Sequence, residues 1–114
     1  MTMLRPSERA DLGVGAKLFR SLGDPMRLAI LEVLAGGERR VTDVVAAVGT
    51  SQANASAHLS CLKECGLILD RPQGRAVWYR LATPELFELL GAAETLLGSV
   101  GQQIALCPTY GDRR

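Results

Sequence analysis

Hydrophobic and polar positions alternate along this chain with two different periods. Across residues 7–22, Leu12, Ala16, Phe19 and Leu22 recur three or four apart, the spacing of one helix face. Ser7 can cap that helix, with Glu8 in its first turn, while Gly13 and Gly15 lower helix propensity but permit close approach of a partner helix. Gly23-Asp24-Pro25 is a break and restart, because Asp24 is a good N-cap and Pro25 suits the first helical position. Met26, Leu28, Ile30, Leu31 and Leu34 then make a helix apolar around much of its circumference, the expected central core helix, ending at Gly36-Gly37.

Arg39-Arg40-Val41 reads as a short extended piece. Thr42 is expected to cap a short helix running to Val48, which Gly49 ends. The next helix starts on Thr50 or Ser51 and stops at Gly66, and Ala55, Leu59 and Leu62 give it a narrow apolar stripe. Two helices over about 42–65, joined by a short turn containing glycine, form the helix-turn-helix pattern. The period then shifts to that of strands. Leu67–Arg71 and Arg75–Leu81, separated by Pro72-Gln73-Gly74, predict a β-hairpin wing over about 67–81. On it Trp78 and Tyr79 alternate, so one of the two packs inward. Thr83-Pro84 opens a helix over about 84–103, where Leu86, Leu89, Leu90, Ala93, Leu96, Leu97 and Val100 make a wide apolar face. That face exceeds what one small core needs, so this helix and helix 7–22 are assigned to a dimer interface. The predicted class is therefore mainly α (α+β): a winged helix-turn-helix with a β-hairpin wing, dimerising through its N- and C-terminal helices. Residues 1–114 read as a single domain with an irregular tail at 104–114.

Composition adds bounds. A chain of 114 residues buries a modest core alone, which favours a dimer. Its net charge of +1 is uninformative, but residues 37–81 are weakly basic and residues 82–114 weakly acidic, compatible with a limited nucleic-acid patch. No signal core precedes the first helix and no run is long enough to span a bilayer, so a cytoplasmic protein with no membrane partner is expected. Its three cysteines, an odd count in a reducing compartment, are then free, buried or metal-bound. There is no Gly-rich phosphate loop, no nucleophile elbow and no histidine with acid or base partners, so no enzyme is expected.

Candidate chemistry concentrates in helix 50–65. Its leading turns carry Gln52, Asn54, Ser56 and His58, side chains able to meet base edges or phosphates of double-stranded DNA. Lys63 later in the helix, and Arg71, Gln73 and Arg75 near the wing tip, are expected to reach phosphates or the minor groove. The plain alternative is a solvated polar face. Cys61 and Cys65, four apart, lie on one helix face one above the other. Two buried structural cysteines would satisfy the same spacing.

These pieces together resemble the ArsR/SmtB family of winged-helix metal-sensing repressors. The matching runs are Leu22-Gly-Asp-Pro-Met-Arg-Leu-Ala-Ile-Leu31, Thr50-Ser-Gln-x-x-x-Ser-x-His-Leu-x-x-Leu-x-x-x-Gly-Leu67 and Gly74-Arg-x-x-x-Tyr-x-Leu81, in order over roughly 15–82. Within the family, Ser60-Cys61-Leu62-Lys63-Glu64-Cys65-Gly66 is most similar to the cadmium/lead sensors. The resemblance implies a homodimer and a metal site of Cys61, Cys65 and Cys107, the last from the partner chain. Three thiolates favour Cd(II) or Pb(II) as effector, with As(III), Hg(II) and Zn(II) as alternatives and no organic cofactor. Two other metal sites of the family are not matched: Val41–Val45 has no thiol, and the last helix has no histidine. The expected function is a repressor released from its operator by metal. The alternatives are As(III)/Sb(III) or thiol-redox input on the same fold, or a constitutive DNA-binding protein.

Overall fold

The computed structural model describes residues 6–101, with side chains from residue 11 onward. α1 begins at Pro6, one residue before the expected Ser7 cap, and the tail bearing Cys107 lies outside what is described. The elements run α1 (Pro6–Leu22), α2 (Pro25–Ala35), β1 (Arg39–Arg40), α3 (Val41–Val48), α4 (Gln52–Glu64), β2 (Ile68–Gln73), β3 (Ala76–Leu81) and α5 (Glu85–Ser99). The predicted order holds throughout, and the result is a mainly helical winged helix-turn-helix.

Each junction has a local cause. The Asp24 carboxylate accepts the backbone N–H groups of Met26 and Arg27 at 2.8 and 3.2 Å, and Pro25 occupies the first turn of α2. α3 begins one residue before the expected Thr42 cap. Its start is tied by Asp43, whose carboxylate accepts the Arg40 backbone N–H at 3.1 Å, and Thr42 lies inside the helix. Gly49 ends α3 in the left-handed region, at φ 71°. Ser51 caps α4 by accepting the Asn54 backbone N–H at 3.1 Å. α4 closes in a Schellman motif: Leu67 N–H bonds Leu62 C=O at 3.0 Å and Gly66 N–H bonds Lys63 C=O at 2.9 Å, with Gly66 at φ 76°.

The three-stranded antiparallel sheet has the order β1-β3-β2. Gln73 pairs with Ala76, so the hairpin turn is Gly74-Arg75 alone, tighter than the Pro72–Gly74 turn expected. Gly74, at φ 63° in the first central position, suits that two-residue loop. Pro72 sits inside β2, which tolerates it because β2 is an edge strand. Of the alternating pair on β3, Tyr79 packs against the core, while Trp78 lies under the Arg40 guanidinium at 5.5 Å.

The core is built from α2, α3, α4, the start of the wing and α5: Ile30, Leu31, Leu34, Val44, Ala55, Leu59, Leu62, Leu67, Ile68, Leu86 and Leu90 are buried together. Leu18 and Leu22 of α1 pack on it from outside. The neighbouring α1 face does not, since Leu12 is 57% and Phe19 64% exposed. α5 repeats the pattern, burying Leu86 and Leu90 but leaving Leu96 64% and Val100 65% exposed. α5 also ends at Ser99, short of the expected 103. Its last turn holds Gly98 and is followed by Val100-Gly101, residues that propagate a helix poorly. No helix among the described residues is long and apolar enough to cross a membrane.

Candidate metal and nucleic-acid interface

α4 is buried along Ala55, Leu59 and Leu62, which sets the directions of all its other side chains. Gln52, Ser56 and Lys63 fall on one flank and are exposed. Asn54, His58, Cys61 and Cys65 share the opposite flank, at spacings of four, three and four. The sequence placed Gln52, Asn54, Ser56 and His58 together as one reading end. The helix splits them, with two beside the thiols.

Asn54 remains exposed, but its amide donates to Thr50 Oγ1 at 2.8 Å, reinforcing the helix start. His58 is half-buried and near enough to Asp24, at the start of α2, to act on its charge. Asp24 is held below the usual carboxyl range, first by the Arg27 backbone N–H and less by His58.

The phosphate candidates also differ from one another. Lys63 Nζ pairs with Asp70 at 2.8 Å. Arg71 grips Glu38 through two bonds of 3.0 and 2.8 Å and donates a third, of 2.9 Å, to Gln73 Oε1. That grip pulls the Glu38 carboxyl below its ordinary value. Arg75 sits exposed in the hairpin turn and pairs with no carboxylate among the described residues. Of these cations it is the one whose charge is most available to a phosphate.

The thiols face a pocket between α1, α2 and α4. Cys61 and Cys65 are both half-buried and free. Cys65 Sγ lies 2.7 Å from the hydroxyl of Ser21, itself buried at the end of α1. Cys61 Sγ accepts from Arg27 Nη1 at 3.4 Å. The same guanidinium donates to the Ser21 and Arg20 carbonyls at 2.7 and 3.3 Å, so Arg27 both closes the C-terminal end of α1 and touches a thiol. Lys17, Arg20 and Glu64 complete an open pocket of about 310 Å³. Reading the sequence for thiols alone missed Ser21 and Arg27. The available signal was Arg27's position in the Leu22–Leu31 run, which places it beside the α1 terminus.

Among the described residues, no group of three or more His, Cys, Asp or Glu side chains converges to hold a metal. The described chain thus offers two sulfurs on one helix face. Two thiolates suit a soft ion but leave a three-coordinate site one ligand short.

The family model for bacterial regulatory proteins of the arsR family matches residues 24–69, from the α2 cap into the wing. A probable mercury resistance operon repressor from Streptomyces lividans is 34% identical over 102 residues, covering 87% of this chain and 82% of that protein. The transcriptional regulator CmtR of Mycobacterium tuberculosis is 42% identical over 76 residues, covering 67% of this chain and 64% of CmtR. A solution structure of that protein, described as a cadmium metal-sensor, superposes with a TM-score of 0.58 over 68% of this chain and 80% of the CmtR chain. The homodimeric winged helix-turn-helix DNA-binding domain of a possible ArsR-family regulator from Mycobacterium bovis superposes with a TM-score of 0.77 at 30% identity, over 91% of this chain and 96% of that one. These relatives are transcriptional regulators, not enzymes, and with such identity across most of both chains this protein belongs to the arsR family of bacterial regulatory proteins.

Proposed function

We propose that this protein is a transcriptional repressor that binds operator DNA as a homodimer and leaves it when Cys61, Cys65 and Cys107 bind a thiophilic ion, Cd(II) or Pb(II). The observation that carries this reading is the position of the thiols. Cys61 and Cys65 sit one turn apart on the second helix of the helix-turn-helix and open into a pocket against α1 and α2. Relatives described as a mercury resistance operon repressor and a cadmium metal-sensor support metal as the input. The homodimeric relative, and the uncovered apolar faces of α1 and α5, support the dimer.

The mechanism follows from what one helix carries. Its exposed flank, with Gln52 and Ser56, enters the major groove; Asn54 and His58 border that surface, and Lys63, Arg71, Gln73 and Arg75 approach the backbone. Two such helices in a dimer reach grooves about 34 Å apart, one DNA turn. Drawing a third sulfur onto Cys61 and Cys65 displaces the Ser21 and Arg27 contacts that seat α4 against α1 and α2. α4 then shifts relative to its twin. A coupling of about 3 kcal/mol weakens operator binding more than a hundredfold, and bound DNA weakens metal binding equally.

The test is fluorescence anisotropy with an operator selected from random-sequence DNA, titrated with Cd(II), Pb(II), Hg(II), Zn(II) and As(III) at controlled free concentrations. Release by Cd(II) or Pb(II), lost in a Cys61→Ser/Cys65→Ser variant, is expected. Flat DNA affinity in every titration overturns metal input and leaves a constitutive DNA-binding protein.

A further inference from the structure

The pocket over Cys61 and Cys65 is larger and more cationic than ion capture requires. Its volume of about 310 Å³ lies at the lower edge of the range of about 300–1,000 Å³ that holds small organic ligands, well above what a bare ion fills. Among the described residues its walls bring Lys17, Arg20 and Arg27 around two thiols, against a single carboxylate, Glu64. Arg27 is occupied by two backbone carbonyls and Cys61 Sγ, whereas Lys17 and Arg20 are exposed at the rim. Soft sulfur at the floor with cations above it is complementary to an anion that brings its own sulfur.

Resting on the metal-sensing reading, we propose that the pocket recognises the ion as its complex with a carboxylate-bearing low-molecular-weight thiol. In this arrangement the carboxylates dock on Lys17 and Arg20, and the carrier's sulfur fills the third coordination position until Cys107 replaces it. The exchange balances without any redox step. A bis-thiolate complex of Cd(II), neutral at its CdS2 core and anionic through its carboxylates, meets the Cys61 and Cys65 thiols, and two new sulfur–cadmium bonds form as both thiols lose their protons. One carrier thiolate leaves with one of those protons as the free thiol, and the second proton passes to solvent. The other carrier thiolate stays, and the bound cadmium carries three sulfurs and one net negative charge. That charge is a second reason for a cationic wall.

The test uses the full chain with Cys107→Ser, so that the carrier cannot be displaced. Cd(II) is added with either mercaptosuccinate, a dicarboxylate thiol, or 2-mercaptoethanol, which is uncharged. Native mass spectrometry reports both protein-bound cadmium and the retained thiol, because each carrier's own cadmium complex already shows sulfur-to-cadmium absorption. The expected result is a ternary protein–cadmium–mercaptosuccinate species formed with at least a tenfold preference over the 2-mercaptoethanol species. The preference should be lost in Lys17→Gln/Arg20→Gln and weakened by added salt. Protein-bound cadmium with equal retention of the two thiols, or a preference that survives the double variant, overturns this proposal alone. Absence of bound cadmium with either thiol in this variant, when the unsubstituted chain binds cadmium, overturns this proposal alone; absence from the unsubstituted chain as well overturns the metal-sensing reading with it.

Discussion

Individual side chains fall into those engaged by the fold and those left available to a partner. Arg71 and Lys63 are engaged, by Glu38 and Asp70, while Arg75 has no carboxylate partner among the described residues. Arg75→Ala should therefore weaken binding to all DNA sequences and reduce the salt slope of log K by about one, measured by anisotropy across a salt series. Arg71→Ala should change that slope less, because its charge already has a partner. For the thiols, Cys61→Ser or Cys65→Ser should lower Cd(II) affinity more than tenfold, about 1.4 kcal/mol, in a competition titration. Operator binding without metal should persist in both variants, since neither thiol lies on the Gln52–Ser56 flank. Arg27→Gln should free Cys61 and unseat the end of α1, so metal affinity should rise while the melting temperature falls.

At the level of elements, α4 depends on how it ends. Gly66 supplies the left-handed residue that lets Leu67 turn back onto Leu62 and start the wing. Gly66→Ala should cost roughly 1–2 kcal/mol in a denaturant melt, because a Cβ is strained at φ 76° even though nothing lies within 4 Å of it. Leu59, fully buried on the stripe that aims the helix, sets a larger scale. Leu59→Ala should cost about 2–5 kcal/mol. The lost packing also loosens the helix that carries both the DNA flank and the thiols, so DNA binding and metal binding should fall with it.

Across the whole molecule, α1 keeps one apolar stripe inside and offers another outward, while α5 buries the beginning of its apolar face and leaves the far end exposed. Phe19→Glu or Leu96→Glu should convert a dimer to a monomer in sedimentation equilibrium and abolish operator binding, while the circular dichroism of the fold survives. The pH dependence of stability has two opposed parts. Asp24, Glu38 and Asp43 are held below ordinary values of 3.8, 4.5 and 3.8, chiefly by bonds from Arg27, Arg71 and Arg40. Their contribution is complete above those ordinary values and is lost as pH falls through the lowered ones. Glu32 runs the other way. Burial, then the nearby Glu94 charge, raises it above 4.5, so its contribution is complete below 4.5 and lost as pH rises through the raised value. Glu32→Gln should therefore raise the melting temperature at neutral pH and leave it nearly unchanged in acid.

The sequence by itself determined the element order, the helix-turn-helix and the wing, because those depend on local causes. Asp24-Pro25, Ser51, Gly49 and Gly66 act within a few residues, and apolar spacing states which side of each helix is buried. The i, i+4 relation of Cys61 and Cys65 was legible for the same reason. Tertiary structure alone decided what surrounds them. The Ser21 and Arg27 partners come from positions 44 and 34 residues away, and only the docking of α1 and α2 on α4 brings them there. It likewise decided that Arg71 is paired while Arg75 has no carboxylate partner among the described residues, since Glu38 reaches Arg71 through the pairing of β1 and β2 with β3. Asn54 and His58 share the thiol flank through their spacing, which the sequence already carried, but the packing of Ala55, Leu59 and Leu62 decided that the thiols on this flank face α1 and α2. Local sequence sets what a helix carries, and the packing of its apolar stripe sets which way each residue faces.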